Sequence, residues 1–408
     1  MNRVTSALFL LGASLVVASC GHGSSSSSNT MPLVVNSGPP AVGYMNGLFT
    51  SVRVCVPRTA QCQTIDSVLV DTGSMGLRIL SSSAGGELSL AFPQKTDHQG
   101  EPLVECTAFV EGYTWGPLRA ADVTLGTETV ASMAIQVIGD PAFMDIPESC
   151  SNSGVVSVNT IMDLGANGIL GVGPLPEDCG GMCADSVTDP ASDNPGNVYF
   201  TCPPSGCKPA SVAVEDQVQN PVSLLSVDNN GVVIDLSGVP MSGAPIVGGS
   251  LIFGIGTAPN NALENVTILS LDPSTLSLTT SYLGQAYPMS IIDSGSNAIY
   301  FLDSATTGIA PCTNPSTTGF YCPQGAGAQN LTAIQQGTNG AVSSVSFSIV
   351  NADILYANEQ NVAFDDIAGP SVGGEYFDWG LPFFFGRRIY SAIEGSTAPS
   401  GQTPYVAY

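Results

Sequence analysis

The sequence predicts a mainly β protein built as two lobes that face one another across a cleft. Three observations carry that expectation. The chain has 408 residues, whereas a single hydrophobic core stops growing at roughly 250 to 300 residues, so two lobes are the natural division. Charged residues make up only 10% of it, against 46 glycines and 29 prolines, which suits many short strands and turns rather than long solvated helices. The third observation is a repeat. An apolar strand, a turn carrying an aspartate and a second apolar stretch occur once around Asp71 and again around Asp293.

At the N-terminus Arg3 is the only early charge, followed by an apolar run from Ala7 to Val17 and the small residues Ala18 and Ser19. Such a run is too short to span a bilayer and reads as a cleaved export signal, residues 1–19. Val17-Ala18-Ser19-Cys20 resembles the lipobox of bacterial lipoproteins, in which the Cys becomes the acylated first residue; a plain signal peptide cut near Cys20 is the alternative. Residues 20–40 are expected to form a lipidated tether, because Gly21 to Thr30, with Ser24 through Ser28 consecutive, has nothing to bury. Residues 41–221 and 222–408 then form the N-terminal and C-terminal lobes, divided at Asn220-Pro221. Gly21 rather than Asp after Cys20 implies, by the same resemblance, a bacterial envelope location at the outer membrane, with the lipid bilayer a partner through the acyl anchor. The 9 basic and 33 acidic residues give a formal charge of −24, which repels phosphate backbones and excludes nucleic acid as a partner. A monomer is expected.

Ten cysteines follow Cys20: Cys55, Cys62, Cys106, Cys150, Cys179, Cys183, Cys202, Cys207, Cys312 and Cys322. An even number in an exported chain points to disulfides, five at most. Connectivity does not follow from sequence, but the short loops suggest Cys55 with Cys62, Cys312 with Cys322, and a nested pair within Cys179, Cys183, Cys202 and Cys207. A zinc site made of those last four is the competing reading, disfavoured by an oxidising exterior and by the absence of any histidine in the segment. Glu177 to Lys208, rich in Cys, Pro and Asp, reads as stapled surface loops beside the cleft.

Only two histidines exist, His22 and His98, and only two lysines, Lys95 and Lys208. Ser-His-Asp, Cys-His and Ser-Lys mechanisms therefore have almost no raw material. Acid-base chemistry falls to carboxylates. Two stand out, in Ser67-Val-Leu-Val-Asp71-Thr72-Gly73-Ser74-Met-Gly-Leu-Arg78-Ile-Leu80 and in Met289-Ser-Ile-Ile-Asp293-Ser294-Gly295-Ser296-Asn-Ala-Ile-Tyr300-Phe-Leu302. One Asp-Thr-Gly-Ser alone would be an ordinary turn. Two copies in matching apolar frames are a stronger signal.

With these residues the chain resembles the pepsin-like aspartic peptidases over most of its length beyond the tether. Ala166-Asn-Gly168-Ile-Leu-Gly171-Val-Gly173 is similar to the segment that packs beneath the family's first catalytic turn. Val222 to Val227 with Gly249 to Gly254 resembles the strands opening the second lobe. Cys312 and Cys322 resemble that lobe's short disulfide loop, and Trp379 to Tyr390 its closing segment with an altered apolar-apolar-Gly element. The resemblance implies a bilobal fold of two β-barrel-like lobes, with catalytic Asp71 and Asp293 about 3 Å apart and sharing one proton, as pepsin itself illustrates. Ser74 and Ser296 would bond the outer oxygens of their aspartates, Thr72 and Ser294 would bond across the lobes, and Gly73 and Gly295 would permit the turns. No metal and no cofactor is called for.

In the family a hairpin flap covers the cleft and carries a Tyr that bonds a Trp. The flap here is Thr107 to Gly116, which puts Phe109 at the Tyr position and Arg78 at the Trp position, with Tyr113 and Trp115 as substitutes or as hairpin packing residues. The leading reading is an envelope-anchored aspartic endopeptidase acting on peptide or protein substrates with apolar side chains near the cut. A catalytically silent peptide-binding or inhibitory lipoprotein is the alternative, and a scaffold with its cleft plugged by Glu177 to Lys208 is a third. Two smaller features, Asp228-Asn-Asn-Gly231 and the pair Arg387-Arg388, read as an Asn-Gly hairpin turn rather than a calcium loop and as edge residues rather than a docking site.

Overall fold

Alternating burial explains most of the strands. In Gly47–Cys55, for example, Val52 and Val54 are fully buried while Ser51 and Arg53 face solvent, the two-residue period of a sheet with one packed face. The computed structural model describes residues 29–151, 154–184, 198–325, 327–372 and 375–408.

Six strands of the first half close on themselves. Gly47–Cys55 pairs with Cys62–Asp71, which runs parallel to Gly168–Val172; Met75–Leu80 follows, then Glu128–Ile138, then Tyr113–Leu125, which returns to pair with Gly47–Cys55. Closure gives each of the six a partner on both sides. Inside lie Ile65, Val68, Val70, Leu77, Ile79, Ile135 and Leu170, all completely buried. The same sheet runs on through Thr30–Asn36 into strands of the second half, Val247–Phe253, Gly231–Leu236, Arg388–Ala392, Tyr405–Ala407 and Ile268–Ser270. A second, seven-stranded sheet is built wholly from residues between Leu278 and Trp379. The architecture is thus mainly β in two barrel-like sheets, with a cleft between them.

Thr30–Asn36 corrects the expected extent of the tether. Met31, Leu33 and Val35 are buried, and the strand pairs with Val247–Phe253 on one side and with Gly47–Cys55 on the other, so their alternation makes a central strand and the segment cannot be a free linker as far as residue 40. Cys20 and the signal segment lie outside the described residues. Val222 to Val227 is also not a strand. It is a turn locked by Asn220, whose buried side chain donates to the Gly173 and Leu175 carbonyls and accepts from the Val222 amide; the strand expected there begins at Gly231. Asn230 and Gly231 do not form a hairpin turn: Asn230 is buried and clamps Ile255 with two hydrogen bonds, and Gly231 opens a strand.

Five disulfides form. Cys55–Cys62 and Cys312–Cys322 are as expected, and Cys106–Cys150 ties the strand Leu103–Ala108 to the short helical turn Glu148–Ser151. The remaining four pair in sequence, Cys179–Cys183 and Cys202–Cys207, rather than nested. The short helical turn Gly181–Ala184 brings the first two together, and the type of tight loop at Pro203 to Gly206 closes the second. Oxidised in pairs, they cannot serve as a zinc site. Glu177 to Lys208 is not all surface either: Asp178 and Tyr199 reach the interior, while its residues 185–197 lie outside the described residues.

Candidate active site

Both aspartates stand at the ends of buried strands. Cys62–Asp71 delivers Asp71 opposite Gly171 of its parallel neighbour, and Gln285–Ile292 delivers Asp293 beside the parallel strand Phe377–Trp379. In each copy the strand after the turn, Met75–Leu80 or Ile299–Phe301, packs antiparallel on that same neighbour. The repeat visible in the sequence is therefore a repeat in space.

The two turns hold one another. The Thr72 amide donates to Ser294 Oγ at 3.1 Å and the Ser294 amide donates to Thr72 Oγ1 at 2.9 Å. Each hydroxyl then donates onward to a strand carbonyl of the opposite half, Thr72 to Ile292 at 3.2 Å and Ser294 to Val70 at 2.8 Å. Four hydrogen bonds with every donor and acceptor satisfied make a rigid, dry crossing at the base of the cleft.

Glycine follows because the carboxyls face each other across it. A methyl at Gly73 would sit 2.8 Å from Asp293 Oδ1, and one at Gly295 would sit 2.6 Å from Asp71 Oδ1, closer than carbon and oxygen pack. Each turn also feeds its own aspartate. Asp71 accepts from the Gly73 amide at 2.7 Å and from Ser74 Oγ, and Asp293 accepts from the Gly295 amide at 2.8 Å and from Ser296 Oγ at 3.0 Å. Desolvation holds the Asp293 carboxyl well above its ordinary range, reinforced by the charges of Asp71 and Asp378 and by a hydrogen bond with Asp71. The structure thus brings together all eight residues from Asp71 to Ser74 and Asp293 to Ser296.

A family model described as "Protein of unknown function (DUF3443)" matches residues 25–408. The chain belongs to the DUF3443 family. Among solved structures, the crystal structure of aspartic proteinase from Irpex lacteus is similar to it at a TM-score of 0.49 and 15% identity, over 93% of this chain and 96% of that one. No curated protein matches the sequence.

The flap candidates divide in this DUF3443 chain. The hairpin Leu103–Ala108 and Tyr113–Leu125 turns at Phe109 to Gly112, and Phe109 lines the cleft. Tyr113 and Trp115 do not. They are buried with Val104, Phe200 and the Cys106–Cys150 bridge, and Trp115 Nε1 donates to the Phe143 carbonyl at 2.7 Å; alternation along the strand turns them inward, as hairpin packing residues. Arg78 and Phe109 do meet, with the guanidinium 5.9 Å from the ring centre. Arg78 is itself fully buried and pairs with Glu105 at 2.6 Å and Asp178 at 3.0 Å, while donating to the Met75 carbonyl at 2.6 Å. An ion cluster thus anchors the hairpin through Arg78, the residue expected at the Trp position. Burial raises the Asp178 carboxyl well above its ordinary range, as does the nearby Glu105 charge, with Arg78 opposing.

Asp378 is the functional neighbour that the sequence reading missed. It is 6% exposed, lines the cleft, and accepts from Ser296 Oγ at 2.6 Å. Ser296 has one proton and two carboxyl neighbours, Asp293 and Asp378, so a carboxyl proton must complete the chain between them. Its trace in the sequence is an acid inside the apolar run Phe377 to Trp379. The cleft itself is about 770 Å³. Of the described residues between Glu177 and Lys208, only Asp178 reaches its wall, so none of them fills it.

Proposed function

We propose that the cleft of this DUF3443 chain hydrolyses peptide bonds with Asp71 and Asp293 as its catalytic pair. The supporting observation is the reciprocal Thr72–Ser294 crossing, which fixes two opposed carboxyls at the base of an open groove. Geometry also makes the two aspartates unequal. Asp71 has Ser74 to itself, whereas Asp293 shares Ser296 with Asp378, so Asp293 keeps the proton and Asp71 is the base. Asp71 takes a proton from a water whose oxygen bonds to the peptide carbon, and Asp293 donates its proton to the carbonyl oxygen. The tetrahedral diol collapses as the proton on Asp71 moves to the amide nitrogen and the C–N bond breaks; a diol hydroxyl returns its proton to Asp293.

Incubation with unfolded protein from pH 3 to 8 tests this. Cleavage that disappears in both Asp71→Asn and Asp293→Asn supports the reading, and no cleavage by the wild-type protein, or unchanged cleavage by both variants, rejects it. The second reading, a silent peptide-binding protein, draws on the replaced hairpin contact at Arg78 and is favoured by peptide capture without products. We further propose attachment to the outer membrane through an acylated Cys20. Labelling with a fatty acid that is lost in Cys20→Ala supports the anchor, and equal labelling of both forms rejects it.

A further inference from the structure

The two walls of the cleft are related by the internal repeat, and one of the positions at which they differ is held by Asp378. In the first copy Leu69 lies opposite Ile169 and Val70 opposite Leu170; in the second Ile291 lies opposite Asp378 and Ile292 opposite Trp379. Asp378 is therefore the counterpart of Ile169. Both line the cleft, Ile169 across the strand pair from Arg78, Asp378 near Glu111, Tyr300 and Tyr376. At this repeat-related position the first copy presents an apolar side chain and the second a carboxyl.

Asp378 is also incompletely satisfied. Its Oδ2 accepts from Ser296, but its buried Oδ1 has no hydrogen-bond partner within the protein. A buried carboxylate with an unused oxygen is costly, and an incoming cation that donates to it forms a charge-assisted bond. Glu111, on the hairpin tip across the groove, adds a second negative charge, and Tyr300 and Tyr376 line the same cleft. Among the described residues Arg78 is the sole basic one on the walls, and Glu105 and Asp178 already hold it.

We infer that Asp378 is a specificity residue forming a cation subsite, which takes the ammonium or guanidinium of a lysine or arginine beside the scissile bond while the Ile169 wall takes an apolar side chain on the other flank. The inference rests on the cleft being a peptide site, and it narrows the expectation of apolar side chains near the cut to one flank. Desolvation raises the Asp378 carboxyl to about 7, with the Ser296 hydrogen bond opposing and the charges of Glu111 and Asp71 adding to it. The titratable groups around it are Asp71, Asp293, Glu111, Tyr300 and Tyr376, none of them a cation, so the subsite binds a cation more strongly at pH 8 than at pH 5.

Two readouts separate this inference from the catalytic one. In the first, wild-type protein, Asp378→Asn and Asp378→Ile digest a peptide library of balanced composition, and cut sites are read by mass spectrometry. Lysine and arginine should be enriched about tenfold at one flanking position, and that enrichment should vanish in both variants, with apolar residues replacing them in Asp378→Ile. In the second, Asp71→Asn protein binds fluorescent peptides that differ only by lysine against norleucine at that position. The lysine peptide should bind about tenfold more tightly at pH 8, and the gap should close when Asp378→Asn is added. If nothing is cleaved, catalysis fails and the binding comparison, made with lysine at each central position, decides alone. Equal binding of the two peptides, or a basic preference unchanged in both variants, overturns the subsite.

Discussion

Arg78→Ala should destabilise this protein more than any single substitution on its surface, and the structure says by how much and at what pH. The guanidinium side chain is 1% exposed, with Glu105 at 0% and Asp178 at 7%. Removing it strands two buried carboxylates, a loss of about 3 to 5 kcal/mol for a broken buried ion pair. The loss must depend on pH. Near pH 5 the stranded acids can take up protons cheaply, whereas at pH 8 they must stay charged or pay to be neutralised, so the deficit grows as pH rises. Urea unfolding followed by near-ultraviolet circular dichroism, with disulfides intact, measures the midpoint at both values. The triple variant Arg78→Met with Glu105→Gln and Asp178→Asn leaves no charge behind and should recover most of the loss. A deficit under about 1 kcal/mol at pH 8, or one equal at pH 5 and 8, would refute the reasoning.

Two further outcomes follow from the same geometry. Gly295→Ala places a methyl 2.6 Å from Asp71 Oδ1 and 2.8 Å from its Cγ, so the carboxyl must move by about 0.5 to 1 Å, and peptide turnover should fall on the order of 100-fold while unfolding shifts by only about 1 to 3 kcal/mol; matching activities would show that the carboxyls are not in contact across the turn. Asp378→Asn should stabilise the protein at pH 8 and leave it unchanged near pH 4, read by thermal unfolding. The native carboxyl, raised to about 7 from 3.8, keeps a proton that the unfolded chain has already lost, so stability is full below the unfolded value and declines by a few kcal/mol as pH climbs through 7. A gain of the same size at both pH values would argue against a buried titrating acid.

What could be read from the sequence was what is encoded locally. Asp71 and Asp293 announce themselves because each sits in its own strand, turn and strand within 14 residues, and the partners of their carboxyls, Gly73, Ser74, Gly295 and Ser296, are two and three positions away. Arg78 was legible only as a departure from a pattern, since its partners lie 27 and 100 residues on and nothing nearby marks them. Asp378 is 82 residues from Ser296 and looks like a lone polar residue in the apolar run Phe377 to Trp379, where its burial depends wholly on tertiary packing. Thr30–Asn36 shows the opposite failure. Its alternation was present, yet the neighbouring serine run hid it, and its pairing partner Val247–Phe253 is more than 200 residues away. The flap aromatics were ambiguous for a simple reason, because a strand turns alternate residues to opposite faces and sequence does not say which face meets the cleft.

The central claim is that Asp71 and Asp293 hold one proton between them, and carbon-13 NMR of protein labelled at aspartate Cγ reads it directly, whether or not the protein is a peptidase. The Asp293 resonance, assigned by its loss in Asp293→Asn, should report a protonated carboxyl well above the ordinary aspartate range. Replacing Asp71 with Asn should bring that titration down, though not to the ordinary value, since burial persists and only the neighbouring charge and hydrogen bond are removed. An Asp293 resonance that titrates like a free aspartate, or that does not change when Asp71 is replaced, would contradict the account.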